Sequence, residues 1–246
     1  MEKLNFRVVV SKIVLILTIS FSLLGCASPL KQQAQTVRVA PVSEQYKLAE
    51  RLQGRVYVFL AETSTGQEQH KYAVSDSLAR AIKEYSKVPT ALLFLKFGDK
   101  TAEEIAFAEN LELLSFTELA NRLNEKNIAQ RYAEMRDFYQ RNGMFRKTDI
   151  EFLGKETEAD YFILPCLLDI RRWGTSRFSI FGLKIINTQI IAVVVSMEIW
   201  DARTGHKVFS ATSDVTIASE RIRENPISID EAFQSAWFGI IEQLPE

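Results

Sequence analysis

The last third of this chain constrains its fold more than any other part. Gln189 to Trp200 is a long β-branched run in which Val193, Val195, Met197 and Ile199 alternate onto one face. Asp201-Ala202-Arg203-Thr204-Gly205-His206 reads as a hairpin connection whose glycine suits a positive φ. Phe209, Ala211, Ser213, Val215 and Ile217 alternate on the returning strand. Ser228 and Glu231 have the spacing of a helix start, and the helix behind them keeps one apolar stripe: Ile229, Ala232, Phe233, Ala236, Trp237, Ile240, Ile241 and Leu244. A helix so marked on one face must lie across a sheet.

Upstream, short strands alternate with amphipathic helices. Arg55 to Ala61 is β-rich and runs into the polar loop Glu62 to Gln69. Val74, Leu78, Ala81, Ile82 and Tyr85 fall on one helical face, and Pro89 ends the pattern. Thr90 to Phe97 is apolar enough for a strand, and its continuation to Asn110 could be helical. Leu111 to Leu114 is a short strand candidate, after which Ser115 and Glu118 form a capping box for a helix carrying Phe116, Leu119, Ala120 and Leu123. Ile128, Tyr132, Met135 and Tyr139 mark the next helix, closed by Asn142-Gly143. Thr148 and Glu151 form a further capping box, for a short helix through Glu156. Asp160 to Ile170 is a largely apolar strand in which Pro165 demands an edge or a bulge. The expected fold class is α/β: a mixed sheet with helices packed on it, a C-terminal antiparallel hairpin and a closing helix.

The amino terminus has a different character. Lys3, Arg7 and Lys12 precede the apolar run Ile13 to Leu24, and Gly25 precedes Cys26, the layout of a signal peptide. The run is short for a bilayer span, which takes about 20 apolar residues. Leu23-Leu24-Gly25-Cys26 resembles the bacterial lipobox. That resemblance implies cleavage before Cys26, an S-diacylglycerol on its thiol and an N-acyl chain on the freed amine. Two or more chains would anchor the protein stably. Ala27 stands where enteric inner-membrane lipoproteins carry aspartate, which implies the outer membrane with the domain facing the periplasm. The expected organisation is a signal peptide over 1–25, a lipidated polar tether over 26–52 and a periplasmic α/β domain over 53–246.

The 246 residues are 47% hydrophobic, enough for a full core. The formal charge is −1, and losing residues 1–25 leaves it near −3, which is no nucleic-acid footprint. With Cys26 acylated, Cys166 has no intramolecular partner, and its neighbours Ile163, Leu164, Leu167 and Leu168 suggest a buried thiol. His70 and His206 lack metal-spaced partners. No Gly-x-Ser-x-Gly elbow, P-loop or dinucleotide glycine pattern occurs. The carboxylate clusters Glu103-Glu104, Glu156-Glu158-Asp160 and Asp230-Glu231 sit at expected helix ends, where solvation and the helix dipole account for them. No catalytic residue, metal site or cofactor beyond the lipid is expected. One segment stands out: Arg171, Arg172, Trp173, Arg177, Phe178 and Phe181, followed by Leu183 and Lys184, interleave basic and aromatic residues. They suit a loop over 173–186 that touches membrane, partner or a neighbouring subunit, or one whose aromatics fold back onto the core.

The order of pieces resembles a known group. The strand Ala159-Asp160-Tyr161-Phe162-Ile163-Leu164, the Leu113-Leu114-Ser115 step into a capped helix, and the hairpin Glu198-Ile199-Trp200-Asp201-Ala202-Arg203-Thr204-Gly205 carry the likeness. It is to the periplasmic domain of the curli-secretion lipoprotein, the amino-terminal domain of the TolB translocation protein, and lipoproteins that activate cell-wall synthases. The resemblance implies a non-enzymatic lipoprotein acting in envelope assembly, secretion or maintenance through envelope proteins or its own oligomer. The alternatives are a subunit of an oligomeric outer-membrane export channel, and a cell-wall-modifying enzyme or its activator. The excursion Trp173 to Ile186 is shorter than the paired hairpins of the curli protein, whose barrel strands need about 9–11 residues each.

Overall fold

A computed structural model describes residues 31–48, 52–85, 110–180, 183–221 and 228–245, with backbone only at 31, 175–180, 183–187, 220 and 221. The signal peptide, Cys26, Pro89, the strand expected at Thr90 to Phe97, Glu103-Glu104 and Phe181 lie outside the described residues, as do the side chains of Arg177 and Phe178.

The core of the fold is a mixed sheet of β1 (Lys31–Val39), β2 (Arg55–Val58), β3 (Glu62–Thr63), β4 (Glu112–Leu114), β5 (Tyr161–Ile180), β6 (Leu183–Asp201) and β7 (Lys207–Arg221). The strands lie in the order β1-β7-β6-β5-β2-β4, with β3 also pairing β5. β2, β3 and β4 join in parallel, while β5, β6, β7 and β1 are antiparallel. Among the described residues five α-helices cover it: α1 (Lys71–Tyr85), α2 (Phe116–Glu125), α3 (Ala129–Asn142), α4 (Lys147–Thr157) and α5 (Ile229–Ile241). Among the described residues no helix is long and apolar enough to cross a membrane.

The expected stripes meet the sheet as two layers. α1 and α5 pack on the face carrying Val193, Val195, Met197 and Ile199 from β6 and Phe209, Ala211, Val215 and Ile217 from β7, all buried. Phe233, Trp237, Ile240 and Ile241 of α5 are fully enclosed, each contributing about 2 kcal/mol relative to exposure. The Trp237 indole N–H donates to Ser77 Oγ at 2.9 Å, tying α5 to α1. On the opposite face α2, α3 and α4 enclose Tyr57, Phe59, Phe162, Leu164 and Trp200.

Most local signals hold. Ser115 Oγ accepts the Glu118 N–H and Glu118 accepts the Ser115 N–H, a complete capping box. Ser228 Oγ accepts the Glu231 N–H at 3.0 Å. Gly143 and Gly205 have φ of 69° and 67°. The box expected at Thr148 and Glu151 does not form: α4 starts at Lys147, with Arg146 as its cap and no side-chain cap bond. The reason lies one residue earlier, where Phe145 is buried against Phe59, Tyr139 and Trp200 and fixes the entry of the chain. Pro165 sits in an interior strand after all. β2 pairs with β5 only to Ile163 and β3 resumes at Cys166, so the proline occupies the break between them. The bulge comes later, between Leu167 and Asp169.

Two segments differ from the sequence-based expectation. Within the stretch read as a polar tether, residues 31–39 form β1, an edge strand paired with β7 from Lys31–Ser219 to Val39–Ala211. Its residues are mostly exposed, so no apolar pattern announces it. Main-chain pairing holds it, with Gln35 Nε2 donating to Ser213 Oγ at 3.2 Å and to the Ser235 carbonyl of α5 at 3.0 Å. Leu48 and Leu52, further along the same stretch, are buried in the core. The expected loop over 173–186 is likewise no loop at its described positions. β5 and β6 run 20 and 19 residues and stay paired out to Ile180 and Leu183.

Candidate functional site

The β5–β6 hairpin runs past the helix-covered body as an arm. β3 leaves β5 at Leu167, and beyond the bulge the pairs Asp169–Val194, Ile170–Val193, Arg171–Ala192, Arg172–Ile191 and Trp173–Ile190 lead outward. Strand alternation puts Asp169, Arg171 and Trp173 of β5 with Val194, Ala192 and Ile190 of β6 on the face against which, among the described residues, α2, α3 and α4 pack nearer the body. Leu168, the extra residue of the bulge, is 47% exposed and Trp173 is 44% exposed. Ile190 and Val194 are half-buried between them. Exposed large apolar side chains grouped in this way mark an interaction surface more often than scattered ones do.

Of the residues singled out from sequence, Arg171, Arg172 and Trp173 are all exposed at the root of the arm. Trp173 does not fold back onto the core. Arg171 Nε meets Asp169 at 2.8 Å. Arg177 and Phe178 lie further out on β5, where only the backbone is described. Leu168 is not apparent from sequence, because nothing in Leu167-Leu168-Asp169 distinguishes a buried leucine from one turned out by a bulge.

A second polar constellation lies between α3 and the sheet. Arg136, buried on α3, donates from Nε to Glu62 Oε1 at 2.9 Å, from Nη2 to the same oxygen, and from Nη1 to Tyr132 Oη at 2.9 Å. Gln140 Nε2 donates to the other Glu62 oxygen at 3.1 Å. Burial opposes the Arg136 charge, but Tyr132 and Glu62 outweigh it and hold its pKa above the ordinary arginine value. Burial also raises the Tyr132 phenol. Nearby, Glu198 accepts from Tyr139 Oη at 3.1 Å, Trp200 Nε1 at 3.1 Å and Lys207 Nζ at 2.9 Å. Burial, reinforced by Cys166 and Glu198, drives the Tyr139 phenol far up. Cys166 is buried beside it, and burial, with the Glu198 charge next, pushes its thiol up to about 12. A thiol held protonated is a poor nucleophile.

These groups are donors and acceptors matched to one another, and the pairing locks α3 onto the sheet. Of the carboxylates noted from sequence, Glu158, Asp160 and Asp230 are also engaged. Glu158 meets Arg55 at 3.1 Å and Arg122 at 3.2 Å, and Asp160 accepts the Arg55 N–H at 2.9 Å. Asp230 faces Arg80 at 3.6 Å. His206 stacks on Tyr46 with ring centroids 3.8 Å apart. Among the described residues no group of three or more His, Cys, Asp or Glu could hold a metal ion.

No family model matches the sequence, and no curated protein matches it either. Among solved structures the chain is similar to the PelC dodecamer from Paraburkholderia phytofirmans, at 13% identity over 86% of this chain and 99% of that one, with a TM-score of 0.42. A leucine-to-methionine variant of the same dodecamer gives 12% identity, coverage of 85% and 99%, and a TM-score of 0.41. The lipoprotein GNA1162 from Neisseria meningitidis gives 11% identity over 77% of this chain and 96% of that one, with a TM-score of 0.35. Likeness at this level carries no argument about the activity or assembly of this chain.

Proposed function

We propose that this protein is a non-enzymatic outer-membrane lipoprotein, anchored through acyl chains on Cys26, that serves envelope assembly, secretion or maintenance by protein contacts. Its domain faces the periplasm, its topology is of the TolB amino-terminal type, and it takes no cofactor besides the lipid. One observation carries the reading: the arm leaves the body with Leu168 and Trp173 exposed on a face that no described helix covers there. The polar clusters beneath the helices are engaged with one another, which supports a role by position rather than by chemistry. A photo-crosslinking residue in place of Trp173, in intact cells, is expected to capture an envelope protein. A full-length, lipidated protein that yields no protein crosslink there removes the contact from the arm.

A second reading, a subunit of an oligomeric export channel, draws on the length of the arm. Its strands run 20 and 19 residues, part of that length inside the body sheet, where β5 pairs β2 and β3 up to Leu167 and β6 pairs β7 from Asn187 onward; a barrel strand needs about 9–11. Extraction in mild detergent followed by sizing separates the two: a monomer or dimer removes the channel, and a discrete large ring removes the simple adaptor.

A further inference from the structure

β1 is one edge of the sheet, and no described strand pairs with its outer side. Which of its main-chain groups face outward follows from one bond. The Ala40 N–H donates to the Ser210 carbonyl at 2.8 Å, in the register that continues β1 along β7. Antiparallel pairs alternate between bonded and unbonded, so Gln32, Ala34, Thr36 and Arg38 direct their N–H and C=O groups at β7. Those of Lys31, Gln33, Gln35, Val37 and Val39 point away from the sheet.

Sheet edges are ordinarily blunted by shortness, proline, a bulge or a charge in mid-strand. The opposite edge, β4, is three residues long. β1 has nine residues, no proline and no register shift along β7, and its two cations, Lys31 and Arg38, stand near its ends. It is also held in shape. A Cβ at Gly239 would overlap the Gln35 side-chain amide, so this glycine of α5 admits β1 beside the helix, and Ser235 Oγ donates to Gln33 Oε1 at 3.3 Å. A strand ordered before it binds has little freedom left to lose. α5 lies over β6 and β7 more than over β1, which leaves the edge open on that side.

The strand fits a second copy of itself. Outward groups belong to odd-numbered positions alone, so an antiparallel pair of identical strands must set odd against odd. Centring the pair on Gln35 does this and uses all nine residues. Gln35 then meets Gln35 of the second copy, Gln33 meets Val37 and Lys31 meets Val39, while Ala34 lies across from Thr36 and Gln32 across from Arg38. Each cation faces an uncharged residue. The two Arg38 positions stand roughly 20 Å apart, well beyond the screening length of about 8 Å at physiological salt. Centring on Ala34 or Thr36 leaves residues at one end of each strand unpaired, and a parallel, in-register pair would set Lys31 on Lys31 and Arg38 on Arg38.

We propose that β1 is a self-pairing edge: two copies of this chain join antiparallel through β1, about a two-fold axis at Gln35, into one continuous sheet. Main-chain bonds hold the pair, as in strand addition, and the same patch serves on both copies. The contact is separate from the arm, which β7 divides from β1.

The test uses two full-length chains in intact cells, one carrying Gln32→Cys and the other Arg38→Cys under a different tag, treated with a mild oxidant. In the proposed register these two positions form an unbonded pair with Cα atoms about 4.5 Å apart, inside the range of a disulfide. Like positions stand roughly 20 Å apart. A disulfide-linked dimer carrying both tags is expected when the chains are expressed together. Either chain expressed alone is expected to show no more link than the chain without added cysteine, in which Cys166 is buried. No link between the two chains, equal links in every culture, or a link to a different protein instead overturns the proposal. Gln33→Pro in both chains removes an outward-facing N–H and leaves the β7 ladder its donors, so it is expected to abolish the link. A link that survives Gln33→Pro overturns the proposal as well.

Discussion

Replacing Arg136 by methionine removes the guanidinium that bridges α3 to the sheet. In the native protein Glu62 accepts from Arg136 Nε at 2.9 Å and from Nη2, and from Gln140 Nε2 at 3.1 Å. The side chains of Arg136 and Glu62 are only 11% and 14% exposed. The variant leaves Glu62 with Gln140 alone and no counter-charge, in a place with little water. Breaking a buried pair from one side costs about 3–5 kcal/mol, a large share of the roughly 5–15 kcal/mol that holds a domain folded. Glu62→Leu strands the arginine instead, at similar cost. The double variant Glu62→Leu/Arg136→Met leaves neither charge and fills the site with apolar volume, so most of the loss returns. Tyr132, whose hydroxyl also bonds the main chain at Leu60, keeps a partner throughout. The assay is urea unfolding followed by circular dichroism, on the Cys26→Ser chain lacking residues 1–25. The two single costs together are expected to exceed the cost of the double by more than about 2 kcal/mol. An Arg136→Met cost below about 1 kcal/mol, or simple additivity, refutes the lock.

Ser115→Ala, which removes the side-chain half of the α2 capping box, is expected to cost about 1 kcal/mol, and Ser115→Gly only a few tenths, in the same unfolding assay. Gly205→Ala is expected to cost more than about 1 kcal/mol, read as a lowered melting temperature, because φ there is +67° and a Cβ would stand 2.6 Å from the Lys147 carbonyl oxygen. Cys166 gives a pH dependence. Its folded pKa lies above the ordinary thiol value of 9.0, at about 12, so its contribution is intact below pH 9 and is lost as pH rises toward 12. Unfolding curves collected across that window should show the loss in the native chain and less of it in Cys166→Ala. The same burial should keep Cys166 closed to maleimide at neutral pH until urea unfolds the chain.

How much of this was legible in sequence follows from what kind of force holds each element. α1, α5, β6 and β7 bury one face, so their apolar residues must recur at the period of the backbone, and Val193 to Ile199 and Phe209 to Ile217 could be read directly. β1 buries almost nothing. Its hold is main-chain pairing and the reach of Gln35, and neither leaves a period in Lys-Gln-Gln-Ala-Gln-Thr-Val-Arg-Val. The arm looks like a loop in sequence for a related reason: once a hairpin leaves the core, nothing requires its faces to alternate. Arg171, Arg172 and Trp173 were visible as unusual neighbours, but Leu168 became a surface residue through a bulge that sequence does not announce. The Arg136–Glu62 lock was hidden because its members are 74 residues apart and each alone looks like a solvated charge.

The edge strand has a mechanical consequence. Its bonds to β7 lie perpendicular to the strand, as in any antiparallel ladder, and the strand begins at Lys31. A pull on Lys31 along the strand axis loads all of those bonds together in shear, the direction in which a ladder yields last. A sideways pull at Lys31 opens them one at a time. Once β1 has peeled away, the free chain from Cys26 to Leu48 could extend to roughly 75 Å. The same strand is thus a stiff strap under axial load and a zip fastener under lateral load, and the direction of a pull at Lys31 decides whether β1 stays on the sheet or peels away from it.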